Sequence, residues 1–213
     1  MIGYLRARVI LPIVRLGFRR TSGTYGLGVD SSAGGPLIFL DVDGPLIPFG
    51  ARTGTYPIYG AGRGSASTGA NPLLARINPG HGPRLAALPG ELVWATTWMA
   101  DANEYVSPWL GLPELAVVTW PDPSDLDGYD ERRGLHWKTR ALVNWAAGRP
   151  FAWIDDEVTA KDRTWVAAHH RGPALLHRVD PRHGLSDTDF STLHRWLTWV
   201  AEAPRVAADL QPD

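Results

Sequence analysis

The chain has 213 residues, a formal net charge of −1 and no cysteine; 44% of its residues are apolar and 20% are charged. The missing cysteine excludes disulfides, thiol catalysis and zinc–thiolate sites, and the near-zero charge provides no overall field that would attract nucleic acid or a membrane. No stretch reaches the roughly 18 apolar residues of a membrane span, so we expect a cytoplasmic protein with no membrane partner.

The first 35 residues are basic, with five arginines and one acidic residue. Their apolar stretch at 9–14 is interrupted by Pro12 and followed by Arg15, so it is too short for the core of a signal peptide. We predict that residues 1–35 form a poorly ordered leader outside the fold. A basic arm that docks on an acidic partner is the alternative. Residues 205–213 are predicted to form a short C-terminal tail.

Five short apolar runs follow the leader. They lie at residues 36–42, 91–96, 115–120, 151–156 and 174–179. The runs are nearly continuous in apolar residues, as buried parallel strands are, and amphipathic segments separate them. This alternation predicts an α/β domain over residues 36–204. We expect a Rossmann-like three-layer sandwich around a central, mostly parallel sheet.

Helices are predicted between these strands, the first near residues 79–88. Another begins near His136 and is ended by Gly148 and Pro150. Its apolar face is predicted to consist of Trp137, Ala141, Leu142, Trp145 and Ala146.

The last helix is predicted to begin at Ser186, where Asp189 at the third position forms a variant of the capping box. Its buried stripe is predicted to consist of Phe190, Leu193, Leu197 and Val200.

Two polar segments are predicted as loops. Residues 50–78 are rich in Gly, Ser and Thr and form an inserted loop, with a short hairpin near 55–59. Residues 121–133, rich in Pro and Asp, form the second.

Two aspartates, Asp41 and Asp43, end the first apolar run. Residues i and i+2 of a strand point the same way, so both carboxylates can reach one site at the carboxyl edge of the sheet, where open α/β sheets bind ligands. Gly44 then allows a sharp turn. A pair of turn residues without chemical function is the alternative interpretation.

A second acidic pair, Asp155 and Asp156, ends the fourth apolar run. Two strands that deliver acids to one sheet edge are harder to explain as turns. Converging carboxylates repel one another unless a divalent cation compensates, and oxygen ligands without cysteine or a histidine pair favour Mg²⁺.

Two further polar residues complete the pattern. Lys138 is one of only two lysines in the chain and lies in the first turn of the helix that leads into the Asp155 strand. A cation there can neutralise a carboxylate and a bound phosphate, although a helical lysine is usually solvated. Thr96 ends the second apolar run, where its hydroxyl can donate to a phosphate oxygen.

In this order, the segments "IFLDVDGPL", "LVWAT", Lys138 and "AWIDD" resemble the four motifs of the haloacid dehalogenase-like (HAD) superfamily of phosphohydrolases. The resemblance covers roughly residues 36–200. Within that superfamily, the tryptophan-flanked second motif and the "HWK" and "AWIDDE" segments look like the small HAD domains of bacterial RNA-repair proteins.

The resemblance implies a role for each of these residues. Asp41 would be the nucleophile that forms an aspartyl-phosphate, and Asp43 the general acid and then the general base. Thr96 and Lys138 would hold the phosphoryl oxygens. Mg²⁺ would be bound by Asp41, by Asp43 through its backbone carbonyl, and by Asp155 or Asp156.

The chain departs from the family at Pro45, where a threonine usually follows the DxDG motif. Proline has neither hydroxyl nor N–H, so one supporting hydrogen bond is expected to be lost. The segments on either side of Thr96 are too short for a large cap domain, so an open site for a bulky phosphorylated substrate is expected.

Two alternatives to this phosphatase remain. One is a HAD-like binding module with weak or no catalysis. The other is a phosphatase that repairs nucleic-acid ends, for which Arg52, Arg63, Arg76 and Arg84 could contact a phosphate backbone or simply be solvated. The oligomeric state is not predicted.

Overall fold

The computed structural model describes residues 34–52, 56–59, 71–122 and 125–208. The strands are β1 (Leu37–Leu40), β2 (Glu91–Trp94), β3 (Ala116–Val117), β4 (Phe151–Asp155) and β5 (Ala174–Arg178). The α-helices are α1 (His81–Ala86), α2 (Ser107–Leu110), α3 (Asp125–Arg133), α4 (Thr139–Ala146), α5 (Ala160–His169) and α6 (Asp187–Ala208). A 3-10 helix (Pro72–Arg76) precedes α1, and a π-helix (Ala102–Val106) runs into α2.

The five strands form one all-parallel sheet in the order β3-β2-β1-β4-β5. The first strand is therefore central, and the chain proceeds outward from it first on one side and then on the other. The carboxyl ends of β1 and β4 flank the point where this direction reverses. Crevices of this kind are the usual ligand sites of open α/β sheets.

Alternate residues of β1 pack into two cores on opposite faces of the sheet. Ile38 and Leu40 belong to a core with residues of α1, α2 and α6, whereas Leu37 and Phe39 belong to a core with residues of α4 and α5. Burial of every β1 side chain explains the continuous apolar run in the sequence. The predicted three-layer α/β sandwich is therefore confirmed.

The last helix follows its prediction closely. Ser186 donates its backbone N–H to the Asp189 carboxylate at 2.8 Å, and the Asp189 N–H donates to the Ser186 hydroxyl at 3.3 Å, which completes the capping box. The predicted stripe of Phe190, Leu193, Leu197 and Val200 is buried.

Three local predictions were wrong. Residues 125–133, predicted as part of a loop, form α3. This polar helix is held to the domain by contacts that its own sequence does not reveal: the Leu135 N–H donates to the Asp130 carbonyl, and Arg140 forms an ion pair with the Asp130 carboxylate.

Trp137 does not lie on the apolar face of α4, because the helix begins two residues later. Its side chain is 36% exposed. For the same reason Lys138 occupies the N-cap position of α4, without a side-chain capping hydrogen bond, and does not lie in its first turn.

The connections around the site are compact in the part of the chain that the structure describes. Among the described residues, only the 3-10 helix and α1 lie between β1 and β2, and only the π-helix, α2, β3 and α3 lie between β2 and α4. No large cap domain is found among these residues, as predicted. Some of the predicted features lie outside the described residues: the leader through residue 33, the start of the predicted hairpin at residue 55, Arg63 and residues 209–213. None of the described helices is long and apolar enough to cross a membrane.

Candidate active site

Asp41 and Asp155 lie at the carboxyl ends of neighbouring strands. β1 ends at Leu40, and the next residue, Asp41, donates its N–H to the carbonyl of Ile154 in β4 at 3.0 Å. Asp155 is the last residue of β4. The parallel register of β1 and β4 therefore brings both aspartates to the crevice where the strand order reverses.

A tight turn follows Asp41 and fixes its surroundings. The Val42 carbonyl accepts hydrogen bonds from the backbone N–H groups of Leu46 and Ile47, at 3.0 and 2.9 Å. Gly44 has a φ of +87°, a conformation that other residues rarely adopt. A Cβ atom on Gly44 would lie 2.5 Å from Oδ1 of Asp156. Glycine is thus required here for the turn and also for the close approach of the Asp156 carboxylate.

Three buried carboxylates converge at this edge. Oxygen atoms of Asp41, Asp155 and Asp156 lie within 4.8 Å of one another, and they are the one such group among the residues that the structure describes. All three side chains are carboxylates, the donor type that Mg²⁺ and Ca²⁺ prefer. The donor set and its burial fit a hard divalent cation.

Lys138 is buried between two of these carboxylates. Its ammonium Nζ donates to Oδ2 of Asp41 at 2.7 Å and to Oδ2 of Asp155 at 2.8 Å, and the side chain is only 3% exposed. Burial alone would lower the pKa of Lys138, but the two carboxylates raise it above its ordinary value. The alternative of a solvated helical lysine is therefore wrong.

The carboxylates differ in how easily they ionise. Burial raises the pKa of Asp41 to about 7; the Lys138 charge opposes this rise, and the charge of Asp155 adds to it. Burial, with the charges of Asp155 and Glu157, raises the pKa of Asp156 to about 6. Burial acts to raise the pKa of Asp155 as well, but the Lys138 charge and hydrogen bonds hold it below its ordinary value. One ammonium thus compensates only part of the negative charge.

Asp43 lies beside this cluster, and its carboxylate is not one of the three that converge. Its Oδ2 accepts a hydrogen bond from the Trp98 indole N–H at 3.1 Å, and burial raises its pKa. A half-buried carboxyl with a raised pKa holds a proton more readily than an exposed one.

Thr96 follows β2 on the other side of β1 and is fully buried. The N–H of the preceding Ala95 donates to the Leu40 carbonyl at 2.9 Å, which places Thr96 at the same sheet edge as Asp41. The Thr96 hydroxyl accepts from the Trp98 N–H at 3.3 Å and keeps its own hydrogen for donation.

Asp162 is a supporting residue that the sequence analysis missed. This fully buried carboxylate accepts hydrogen bonds from the His136 N–H at 2.8 Å and the Thr139 hydroxyl at 2.7 Å, so it holds both ends of the segment that contains Lys138. It also forms a capping box with Thr159 at the start of α5. The spacing of Thr159 and Asp162 is visible in the sequence and predicts the cap, but gives no sign of the contacts with residues 136–139.

The arginines considered for a phosphate backbone have other contacts where they are described. Arg76 donates to the Pro48 carbonyl at 3.0 Å and packs on Tyr56, while Arg84 pairs with Asp187 at 2.7 Å. Neither is a simple solvated side chain.

Comparisons of the chain with protein-family models, with curated proteins and with solved structures give no match.

Proposed function

We propose that the protein is a Mg²⁺-dependent phosphomonoester hydrolase of the HAD type that forms an aspartyl-phosphate on Asp41. The observation that carries this proposal is the bridge from the buried Lys138 ammonium to Asp41 and Asp155, next to Asp156. A lysine is not needed to hold a metal ion, but beside a nucleophilic carboxylate it can neutralise an incoming phosphate dianion.

The divalent cation would be held by Asp41 and Asp156. Both oxygens of Asp155 already accept hydrogen bonds: Oδ2 from Lys138 and from the Trp153 indole N–H, and Oδ1 from the Glu157 N–H. Asp41 accepts two hydrogen bonds, from the Val42 N–H and from Lys138, against three at Asp155. Asp155 therefore has less capacity left for a metal and is better suited to fixing Lys138. When bound, the cation would screen Asp41 from the phosphoryl group and stabilise the charge that develops there.

In the first step, a carboxylate oxygen of Asp41 forms a bond to phosphorus while the bond between phosphorus and the ester oxygen breaks. Asp43 gives its proton to the departing oxygen, and the environment that raises its pKa supports that role. Lys138 and the Thr96 hydroxyl would donate to the phosphoryl oxygens.

In the second step, Asp43 takes a proton from a water molecule as the water oxygen attacks phosphorus. The bond between phosphorus and Asp41 breaks, which releases inorganic phosphate and restores the Asp41 carboxylate. The proton and the leaving group are thus accounted for by Asp41, Asp43 and water alone.

The turn that contains Pro45 is supported by backbone hydrogen bonds. Its carbonyl accepts a hydrogen bond from the Leu185 N–H at 2.9 Å, and the N–H groups of Leu46 and Ile47 bond within the turn. These contacts support an active enzyme in spite of the missing threonine. The absence of a large cap among the described residues supports a bulky substrate.

The test is phosphate release from a generic aryl phosphate in the presence of Mg²⁺. We expect activity that is abolished by Asp41→Asn and by EDTA and is kept by Asp122→Asn, which changes an exposed aspartate. Activity that is undiminished in Asp41→Asn would contradict the proposal.

A second experiment tests the binding-module alternative. Beryllofluoride with Mg²⁺ should raise the melting temperature of the wild type, and this rise without phosphate release would favour that alternative.

A further inference from the structure

Three tryptophans line one side of the candidate site, and each contacts one of its residues. Trp98 donates its indole N–H to Asp43 at 3.1 Å, and Trp120 donates its own to the Thr96 carbonyl at 3.1 Å. The ring centroid of Trp137 lies 5.6 Å from Nζ of Lys138. We call Trp98, Trp120 and Trp137 the tryptophan rim.

Two rings of the rim are in direct contact. The rings of Trp120 and Trp137 meet edge to face, with centroids 4.7 Å apart and planes at 70°. Trp98 is connected to this pair through Thr96, because its backbone N–H donates to the Thr96 hydroxyl and the Trp120 indole donates to the Thr96 carbonyl. The rim therefore consists of a pair of rings beside Thr96 and Lys138, the proposed phosphate ligands, and of Trp98 at Asp43, the proposed acid.

Core packing accounts for only part of the rim. Trp98 and Trp120 are half-buried and pack against the two cores, but Trp137 belongs to neither core and is 36% exposed. An exposed indole beside a polar site offers a flat, polarisable surface at which aromatic rings stack.

We propose that the tryptophan rim binds the base of a phosphorylated nucleotide, either free or at the end of a nucleic acid. This inference rests on the proposed function, since it assigns the leaving group of the same site. The phosphate would lie at Lys138 and Thr96, the sugar oxygen at Asp43, and the base against Trp120 and Trp137.

The positions of the rings favour a nucleotide over an aryl phosphate such as phosphotyrosine. Trp98 contacts Asp43, whereas the exposed Trp137 lies beside Lys138. An aryl ring is bonded directly to the ester oxygen that Asp43 protonates, so it would lie at Trp98. A nucleotide places a sugar between that oxygen and the base, and this spacer lets the base reach the pair of Trp120 and Trp137.

Charge favours recognition of one nucleotide over a long stretch of strand. The net charge is −1, and Arg76 and Arg84 have contacts within the domain. Proteins that track a phosphate backbone use many cationic contacts and bind with steep salt dependence. Stacking of a single base requires neither.

The experiment measures binding by calorimetry to the full chain carrying Asp41→Asn, which removes turnover, with Mg²⁺ present. The probes are adenosine monophosphates with a 3′ or a 5′ phosphate, ribose 5-phosphate, a 3′-phosphorylated oligonucleotide and a phosphotyrosine peptide. We expect Trp137→Ala to weaken binding of the adenosine monophosphates about tenfold, as loss of one base stack does, and to leave ribose 5-phosphate unchanged. Trp137→Phe should keep most of the affinity. Trp199→Ala, which removes a tryptophan 58% exposed on α6, is the matched control and should change nothing.

If Trp137→Ala loses the same affinity for ribose 5-phosphate as for the nucleotides, or loses affinity for neither, the assignment of the rim is overturned. A larger loss for the phosphotyrosine peptide than for the nucleotides would overturn the choice of a base. Similar losses for the mononucleotides and the oligonucleotide support recognition of one terminal nucleotide. The proposed function fails separately, if wild-type enzyme with Mg²⁺ releases no phosphate from any of these esters.

Discussion

Lys138 donates a hydrogen bond of 2.7 Å to Asp41 across 97 residues of sequence. The same ammonium also contacts Asp155, so one cation joins the ends of two parallel strands. Three predictions concern this contact and the carboxylates around it, and a fourth concerns the residue that holds Lys138 in place.

Lys138→Met should abolish phosphate release and destabilise the protein. Removing one partner of a buried ion pair costs about 3 kcal/mol, since the remaining carboxylates are left uncompensated. The loss in melting temperature should be larger at pH 8 than at pH 5, because Asp41 and Asp156, with pKa values of about 7 and about 6, become protonated at the lower pH. The control is Lys161→Met, which changes the exposed second lysine and should alter neither activity nor stability. An equal loss at both pH values would speak against the charge-based explanation.

Asp156→Asn should stabilise the metal-free protein at pH 8. The pKa of Asp156 is raised to about 6 in the folded state from an ordinary value of 3.8. The folded state therefore binds the proton more tightly, and stability falls as pH rises from about 4 through about 6. We expect a gain of about 1 kcal/mol at pH 8, after allowance for solvent screening, and almost none at pH 4.

The same variant tests the metal site. Mg²⁺ should raise the melting temperature of the wild type and of Asp122→Asn, but not of Asp156→Asn. Retention of the full Mg²⁺ effect in Asp156→Asn would remove Asp156 from the proposed ligands.

Gly44→Ala should lose Mg²⁺ binding as well as stability. Positive φ costs a non-glycine residue about 1–2 kcal/mol, and the new Cβ would meet the Asp156 carboxylate at 2.5 Å. Gly50→Ala is a matched control, because Gly50 has a similar φ of +82° but its Cβ would meet, of the residues that the structure describes, only Arg182, at 4.0 Å. Both variants should lose stability in chemical denaturation, and only Gly44→Ala should lose the Mg²⁺-induced rise in melting temperature. Equal Mg²⁺ responses would show that Asp156 can move aside without cost.

Asp162→Ala should destabilise the protein and reduce kcat although Asp162 is not in the carboxylate cluster. The substitution leaves the half-buried His136 N–H and the buried Thr139 hydroxyl without this acceptor, at a cost of about 1–3 kcal/mol for a buried group. Movement of the segment between them displaces Lys138. Thr164→Ala, which removes an exposed hydroxyl on the same helix, should change little. Full kcat in a folded Asp162→Ala protein would show that Lys138 is positioned by its carboxylates alone.

The sequence predicted the layered fold and the two acidic strand ends because both depend on local patterns. A continuous apolar run that ends in Asp41, and another that ends in Asp155, identify buried parallel strands without knowledge of their neighbours. Parallel pairing then brings the two ends together.

The remaining features depend on contacts between distant residues. Asp162 supports residues 136–139 from 26 and 23 positions away, and Trp120 contacts Thr96 from 24 positions away. The helix α3 has a polar sequence that is typical of a loop, and its Asp130 forms an ion pair with Arg140 in the structure. The assignment of Trp137 to an apolar face failed because it required the start of α4 to within two residues, and helix ends are the least certain part of such predictions.

The turn after β1 is braced by the connection between β5 and α6. Besides the contact between Leu185 and Pro45, the Phe49 N–H donates to the Pro181 carbonyl at 2.7 Å. A nascent chain that has emerged only as far as residue 156 would already carry Asp41, Lys138, Asp155 and Asp156, but would lack these contacts. The proposed activity would then arise late in synthesis, after residue 185 has left the ribosome.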